Sequence, residues 1–198
     1  MQITLVRHAQ TPGNALRRYI GSTDEPLSEA GLLAARACGA DRSVRRVFVT
    51  PLQRTAQTAA LLFPAAEQII LPALREMDFG LFEGKNADEL SASAAYRTWV
   101  DGLCEGPCPG GESRAAFTAR VLEGFTAAVT ELLAEKEEAA VFVVHGGTIM
   151  AILSGLARPA LSYFSCAVGN CARVTCRTAP GEGALPFTLC GVRLPAAR

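Results

Sequence analysis

At 198 residues, 49 % of them hydrophobic, the chain fits one domain with a continuous core, and two separate domains are disfavoured. Its 19 Lys and Arg balance 19 Asp and Glu to a formal net charge of zero, which argues against a general nucleic-acid or membrane-surface partner and makes any anion site local. No window reaches membrane-spanning length and Met1 leads straight into a strand-like run, so the expected location is the cytoplasm.

Strand-like runs at 2–7, 46–50, 68–71 and 140–145 alternate with helix-like stretches, the pattern of an α/β fold with a mostly parallel sheet flanked by helices on both faces. Ser28 is a good N-cap for a helix through Arg36. Thr50 and Pro51 suit the cap and first position of a helix reaching about Leu62, where Pro64 stops it. From Glu83 to Cys108 the pattern weakens, with short helical pieces at 87–90 and 94–100. Residues 83–112 read as an insertion over the site. Ser113 caps a long helix whose apolar positions Phe117, Val121, Phe125, Val129, Leu132 and Leu133 recur at helical spacing. Residues 171–178 and 187–194 alternate as late strands, an antiparallel edge pair. The seven cysteines form no Cys-x-x-Cys pair, and the spacing of Cys166, Cys171 and Cys176 suits reduced thiols better than structural zinc.

The chain has two histidines, His8 and His145, and each closes an apolar strand-like run. Open α/β sheets place ligand sites beyond the carboxyl ends of parallel strands, so both imidazoles are expected to face one crevice. Arg7 and His8 precede a turn, Ala9 to Asn14, that opens a helix, a place where a guanidinium and helix-start amides can cradle an anion. Arg54 lies one turn into the helix after a strand. Glu76, Asp78 and Glu83 sit among apolar residues beyond another, and any of the three is a candidate proton donor on these grounds. Gly146 and Gly147 after His145 offer small residues where a ligand can approach the backbone.

Together these four segments resemble the histidine phosphatase superfamily and its phosphoglycerate-mutase-like fold, a three-layer α/β sandwich, over residues 3 to about 155. The resemblance implies that His8 is the nucleophile and Arg7 a phosphate ligand, that Arg54 and His145 complete the phosphate pocket, that Asn14 adds a polar contact and that Glu76 is the proton donor. No metal or other cofactor is then required. Ala9 stands where the family usually has glycine. The stretch Arg18 to Ser28, with Gly21 expected at the substrate alongside Gly146, and the later Pro109 to Ser113 resemble alpha-ribazole phosphatases. Tyr19, Phe82, Tyr96 and Trp99 are candidates for a wall against the leaving group.

The implied activity is hydrolysis of a small phosphate ester, with alpha-ribazole 5′-phosphate as one candidate. A phosphoglycerate mutase is the alternative, disfavoured because the region from Glu83 to Ser113 is short. An inactive phosphate-binding module is a second alternative, suggested by Ala9. A homodimer stays open.

Overall fold

In the computed structural model, which describes residues 1–195, the chain forms a seven-stranded sheet between two layers of helices. The strands are β1 (Gln2–Arg7), β2 (Arg46–Val49), β3 (Glu67–Ile70), β4 (Ala139–Val144), β5 (Ala157–Arg158), β6 (Arg173–Pro180) and β7 (Phe187–Arg193), in the spatial order β3-β2-β4-β1-β6-β7-β5. β1, β2, β3 and β4 are parallel, β6 is antiparallel to β1 and β7, and β5 runs parallel to β7. The late strands do pair antiparallel, but they do not form the edge. β6 pairs with β1 inside the sheet, and the two-residue β5 closes that side.

Alternation along the central strands feeds both layers. Val47, Val49, Val6 and Val143 pack with Ala59, Leu62 and Phe63 of the α3 (Gln53–Leu62) side. Phe48, Phe142, Ile3 and Leu5 pack on the opposite face with Phe117, Phe125, Ile149 and Ile152 from α6 (Arg114–Ala134) and α7 (Gly146–Leu156). The α6 stripe is buried at Phe117, Val121, Phe125, Val129 and Leu132, whereas Leu133 is exposed, because the residue after Leu132 turns off the buried face. Ser28 caps α2 (Glu29–Ala37) and Ser113 caps α6, each hydroxyl accepting the N–H three residues on. Thr50 is not the cap of α3, which opens at Gln53 with Leu52 in the cap position and no side-chain cap; the Thr50 hydroxyl meets His145, Thr55 and, at 3.4 Å, the Leu52 amide.

β1 and β4 are adjacent and in register from Gln2 with Ala139 to Arg7 with Val144, so His8 and His145 leave the sheet side by side at its carboxyl end. Between β1 and α2 lies the short α1 (Pro12–Ala15), closed by a capping box between Thr11 and Asn14. α4 (Ala87–Leu90) and α5 (Ala94–Asp101) make up the helical part of residues 83–112. Among the described residues, no helix is long and apolar enough to cross a membrane.

Phe142 is fully buried at the centre, its ring 4.8 Å from that of Phe48 and 5.1 Å from that of Phe125. Phe142→Ala is expected to cost about 3–5 kcal/mol of folding stability. Leu33→Ala, at a position 59 % exposed on α2, should stay within about 0.5 kcal/mol. Urea denaturation of both variants checks this, and equal effects would contradict the placement of the core.

Candidate active site

The two imidazoles lie with ring centroids 5.2 Å apart, edge to face, His8 being 4 % exposed and His145 fully buried. His8 Nδ1–H donates to the carbonyl of Ala9 at 2.7 Å, which leaves Nε2 as the nitrogen with a free lone pair. His145 is held from both sides. Arg54 Nε–H donates to its Nδ1 at 3.2 Å, so its Nε2–H donates to Thr50 Oγ1 at 2.9 Å. The chain of donors continues from Thr50 Oγ1 to Thr55 Oγ1 and ends on the carbonyl of Leu52.

Both rings are kept neutral. Burial pushes His8 down to about 3, and the positive charges of Arg54 and Arg7 push the same way against the opposing Ala9 hydrogen bond. Burial and the Arg54 charge hold His145 well below its ordinary 6.5.

A cavity of about 190 Å³ opens at this point, lined by Arg7, His8 and Asn14 from the β1 end, by Glu76, and by Gly146 and Gly147 at the start of α7. Arg7 donates through NH1 to the carbonyl of Val168 at 2.6 Å. Its buried Nε–H has no partner among the described residues. A Cβ at Gly146 would lie 3.3 Å from that nitrogen, so a bulkier residue there would crowd it. Glu76 is 8 % exposed and accepts from the amides of Met77 (Oε1, 3.0 Å) and Gly147 (Oε2, 2.9 Å). Burial raises its pKa, opposed by those two hydrogen bonds and by the charges of Arg54 and Arg7.

Of the residues singled out in the sequence, Arg7, His8, Asn14, Tyr19, Glu76, Gly146 and Gly147 line this cavity, whereas Phe82, Tyr96 and Trp99 do not. Arg54 and His145 stand behind it. Arg54 is fully buried, and beyond His145 its guanidinium donates to the carbonyls of Thr23 at 2.7 Å and Gly21 at 2.8 Å. Gly21 is not among the lining residues. Its amide donates to the Glu83 carboxylate, and a Cβ would fall 1.7 Å from the carbonyl oxygen of Met77, so its role is close packing. Glu83 accepts from the amides of Gly21, Ser22 and Phe79, and Asp78 accepts from Gly80, so both work inside loops and only Glu76 reaches the cavity. Ala9 points into a cluster with Leu27 and Ala35, and its amide donates to Thr58 Oγ1, so neither its methyl group nor its N–H faces the cavity.

Residues 83–112 do not line the cavity either. They brace its wall from outside, through the Tyr19–Tyr96 hydroxyl contact at 2.9 Å and the packing of Trp99 on Tyr19 and Phe79.

Gly147, singled out with Gly146 in the sequence, is needed for a further reason, since a Cβ there would lie 2.3 Å from Glu76 Oε1. Three contributions escaped the sequence reading: Thr50 anchors His145, Val168 receives Arg7, and Asn170 donates to the His8 carbonyl at 3.0 Å and to Asn14 Oδ1 at 3.1 Å. The segment carrying Val168 and Asn170 has no motif. A larger cavity of about 720 Å³ between α2 and residues 167–172 is lined mainly by small or apolar residues, with Cys38 and Cys171 as its titratable groups, and holds no imidazole, guanidinium or carboxyl.

Residues 3–187 match the model of the histidine phosphatase superfamily (branch 1), and the chain belongs to that family. It is 33 % identical over 183 residues to "Probable phosphoglycerate mutase GpmB" of Enterobacter sp. (strain 638), covering 86 % of this chain and 82 % of that one. It is 37 % identical over 166 residues to the 2,3-bisphosphoglycerate-dependent phosphoglycerate mutase 2 of Gloeobacter violaceus, covering 78 % and 74 %. Among solved structures it is similar to the alpha-ribazole phosphatase from Shigella flexneri, with a TM-score of 0.77 at 25 % identity, covering 100 % of this chain and 96 % of that one.

The burial of both rings predicts their titration. An unfolded histidine takes a proton near 6.5, whereas folded His8 does so only at about 3, so the unfolded state binds more protons in between. The contribution of His8 to stability is therefore whole above 6.5, falls as pH drops below it and levels off near 3; His145 acts in the same direction. With two histidines in the chain, ring resonances in NMR can be assigned by single substitutions. Neither should titrate between about pH 5.5 and 7.5 in the free protein, and a His8 ring titrating near its ordinary value would contradict the site.

Proposed function

We propose that the protein is a metal-independent phosphomonoesterase that works through a phosphohistidine at His8. The observation that carries this reading is the shared cavity: His8, neutral and with a free Nε2, Arg7, whose Nε–H has no partner among the described residues, and the buried Glu76 all line one small space. Nε2 attacks phosphorus while the bond to the leaving oxygen breaks, and protonated Glu76 gives its proton to that oxygen. Glu76, now a carboxylate, then takes a proton from water as the water oxygen attacks phosphorus. The P–N bond breaks, releasing phosphate and restoring both groups. Charge on the equatorial oxygens is stabilised by Arg7, by the start of α7, and by the buried charge of Arg54 behind the imidazoles.

For the substrate we favour a small phosphorylated metabolite with an uncharged, flat leaving group, with alpha-ribazole 5′-phosphate as the leading candidate. The cavity is also lined by Tyr19, Ile20, Phe79, Met150 and Val168, a surface suited to a ring. The likeness to the Shigella alpha-ribazole phosphatase supports the same choice.

Phosphoryl transfer on phosphoglycerate is the second reading, favoured by the names of the sequence relatives. It requires a cationic partner for the substrate carboxylate. Arg18, the lining residue suited to that, is held by both oxygens of Glu89 at 3.2 and 2.7 Å, which supports hydrolysis instead, as does the short segment from Glu83 to Ser113. Ala9 does not favour an inactive binding module, since it faces away from the cavity. The balanced net charge and seven free cysteines suit a cytoplasmic enzyme acting on a small molecule.

His8→Ala should lower kcat by at least about a thousandfold on any phosphate ester, and full chelator-resistant activity in that variant would refute the nucleophile. In the wild-type protein, alpha-ribazole 5′-phosphate should be hydrolysed with kcat/KM at least about a hundredfold above that for 3-phosphoglycerate, with free phosphate as product. Exchange between the 2- and 3-positions of phosphoglycerate with little phosphate release would establish the mutase instead.

A further inference from the structure

The motif Gly110-Gly111-Glu112-Ser113, which on sequence grounds pointed toward substrate, lies away from the cavity and grips the loop that carries Glu76. Arg120, on the second turn of α6, forms a two-pronged ion pair with Glu112: Nε–H donates to Oε1 at 2.8 Å and NH2 to Oε2 at 2.7 Å. The same guanidinium donates to the main-chain carbonyls of Ala73 at 2.8 Å, Arg75 at 3.1 Å and Glu76 at 3.4 Å. Glu112 in turn accepts from the amide of Asp78 at 3.0 Å, and its own amide donates to the Asp78 carbonyl at 2.9 Å. Residues 73, 75, 76 and 78 are thus tied to one half-buried pair whose side chains are 19 % and 18 % exposed.

The backbone is fitted to that grip. A Cβ on Gly111 would fall 2.4 Å from the Asp78 carbonyl oxygen, and one on Gly124 would fall 2.3 Å from Ala73 Cβ. Arg120 engages only the loop's main chain, and Glu112 adds to its bonds with Asp78 a longer ion pair to the Arg75 guanidinium at 3.7 Å, while the Glu76 carboxyl is left to the amides of Met77 and Gly147 and to the cavity.

We infer that Arg120 and Glu112 are positioning residues for proton transfer: they fix the main chain at Glu76 so that its carboxyl sits where the leaving oxygen departs. This rests on the reading of Glu76 as the proton donor. A general acid contributes only when held within hydrogen-bond reach of its target, and a displacement of about 1 Å at a distance from the chemistry can cost about a hundredfold. A guanidinium fork that binds a carboxylate on one edge and carbonyls on the other cannot be replaced by the single ammonium of lysine.

A merely structural role would slow every substrate alike, whereas a positioning role shows in the leaving group. The experiment compares phenyl phosphate with 4-nitrophenyl phosphate, which are alike in shape but differ in how much the departing oxygen needs a proton. Single-turnover release of the phenol is measured for wild type, Arg120→Met, Arg120→Lys and Glu76→Gln, with near-UV circular dichroism as the check on folding. Arg120→Met should slow release from phenyl phosphate by about 10- to 100-fold and from 4-nitrophenyl phosphate by less than about threefold, Arg120→Lys should recover little, and Glu76→Gln should show the same bias more strongly. Glu112→Gln, which keeps the side-chain shape and loses the charge pair, gives the same readout if Arg120→Met does not fold. Equal slowing on both substrates, or none, in the Arg120 and Glu112 variants while Glu76→Gln keeps its bias would overturn the positioning role alone. Absence of the bias in Glu76→Gln would overturn the proton-donor reading and this inference with it.

Discussion

A buried imidazole can attack phosphorus only while its reacting nitrogen is unprotonated, and the surroundings of His8 meet that condition. The Ala9 carbonyl takes the Nδ1 proton at 2.7 Å, and burial together with two guanidinium charges keeps a second proton off the ring. The geometry that makes this work is set by the sheet. β1 and β4 lie side by side in parallel register, so both histidines emerge together, and the Arg54 charge reaches the pair through His145.

The same burial has the opposite effect on the neighbouring carboxyl. Desolvation removes the proton from an imidazole and leaves it on a glutamic acid, so His8 and Glu76, bordering one cavity, are pushed toward their neutral forms by one physical cause, as the proposed roles of nucleophile and acid require. The amides of Gly147 and Met77 oppose that upward shift at Glu76 and orient its oxygens. Glu76 is therefore held from two sides: its carboxyl by the first turn of α7 and its main chain by Arg120 on α6. The two helices that cover one face of the sheet also supply the supports of Glu76.

Much of this was legible in the residues because it depends on local rules. Apolar runs ending at His8 and His145 announced parallel strands, Ser28 and Ser113 announced helix starts, and the pairing of charge with strand ends marked the crevice. What could not be read depends on contacts between segments distant in the chain. Thr50 looked like a helix cap by its position before Pro51, yet His145, distant in sequence, takes its hydroxyl. Gly21 looked like a place for a ligand, but the Met77 carbonyl occupies the space a side chain would need. Asn170 and Val168 sit in a segment with no local signal and acquire their roles only because β6 runs back along β1. Glu76, Asp78 and Glu83 were equivalent by composition, and loop hydrogen bonds separated them.

The central claim is that the phosphoryl group passes through His8, and the most direct measurement is intact mass of the protein quenched in alkali during turnover, followed by peptide mapping. A phosphohistidine survives alkali and is lost in acid, so the account predicts one phosphoryl group on the peptide containing His8, removed by mild acid and absent from His8→Ala. Turnover with no such adduct under rapid quench, or a phosphoryl group carried by any residue other than His8, would contradict it.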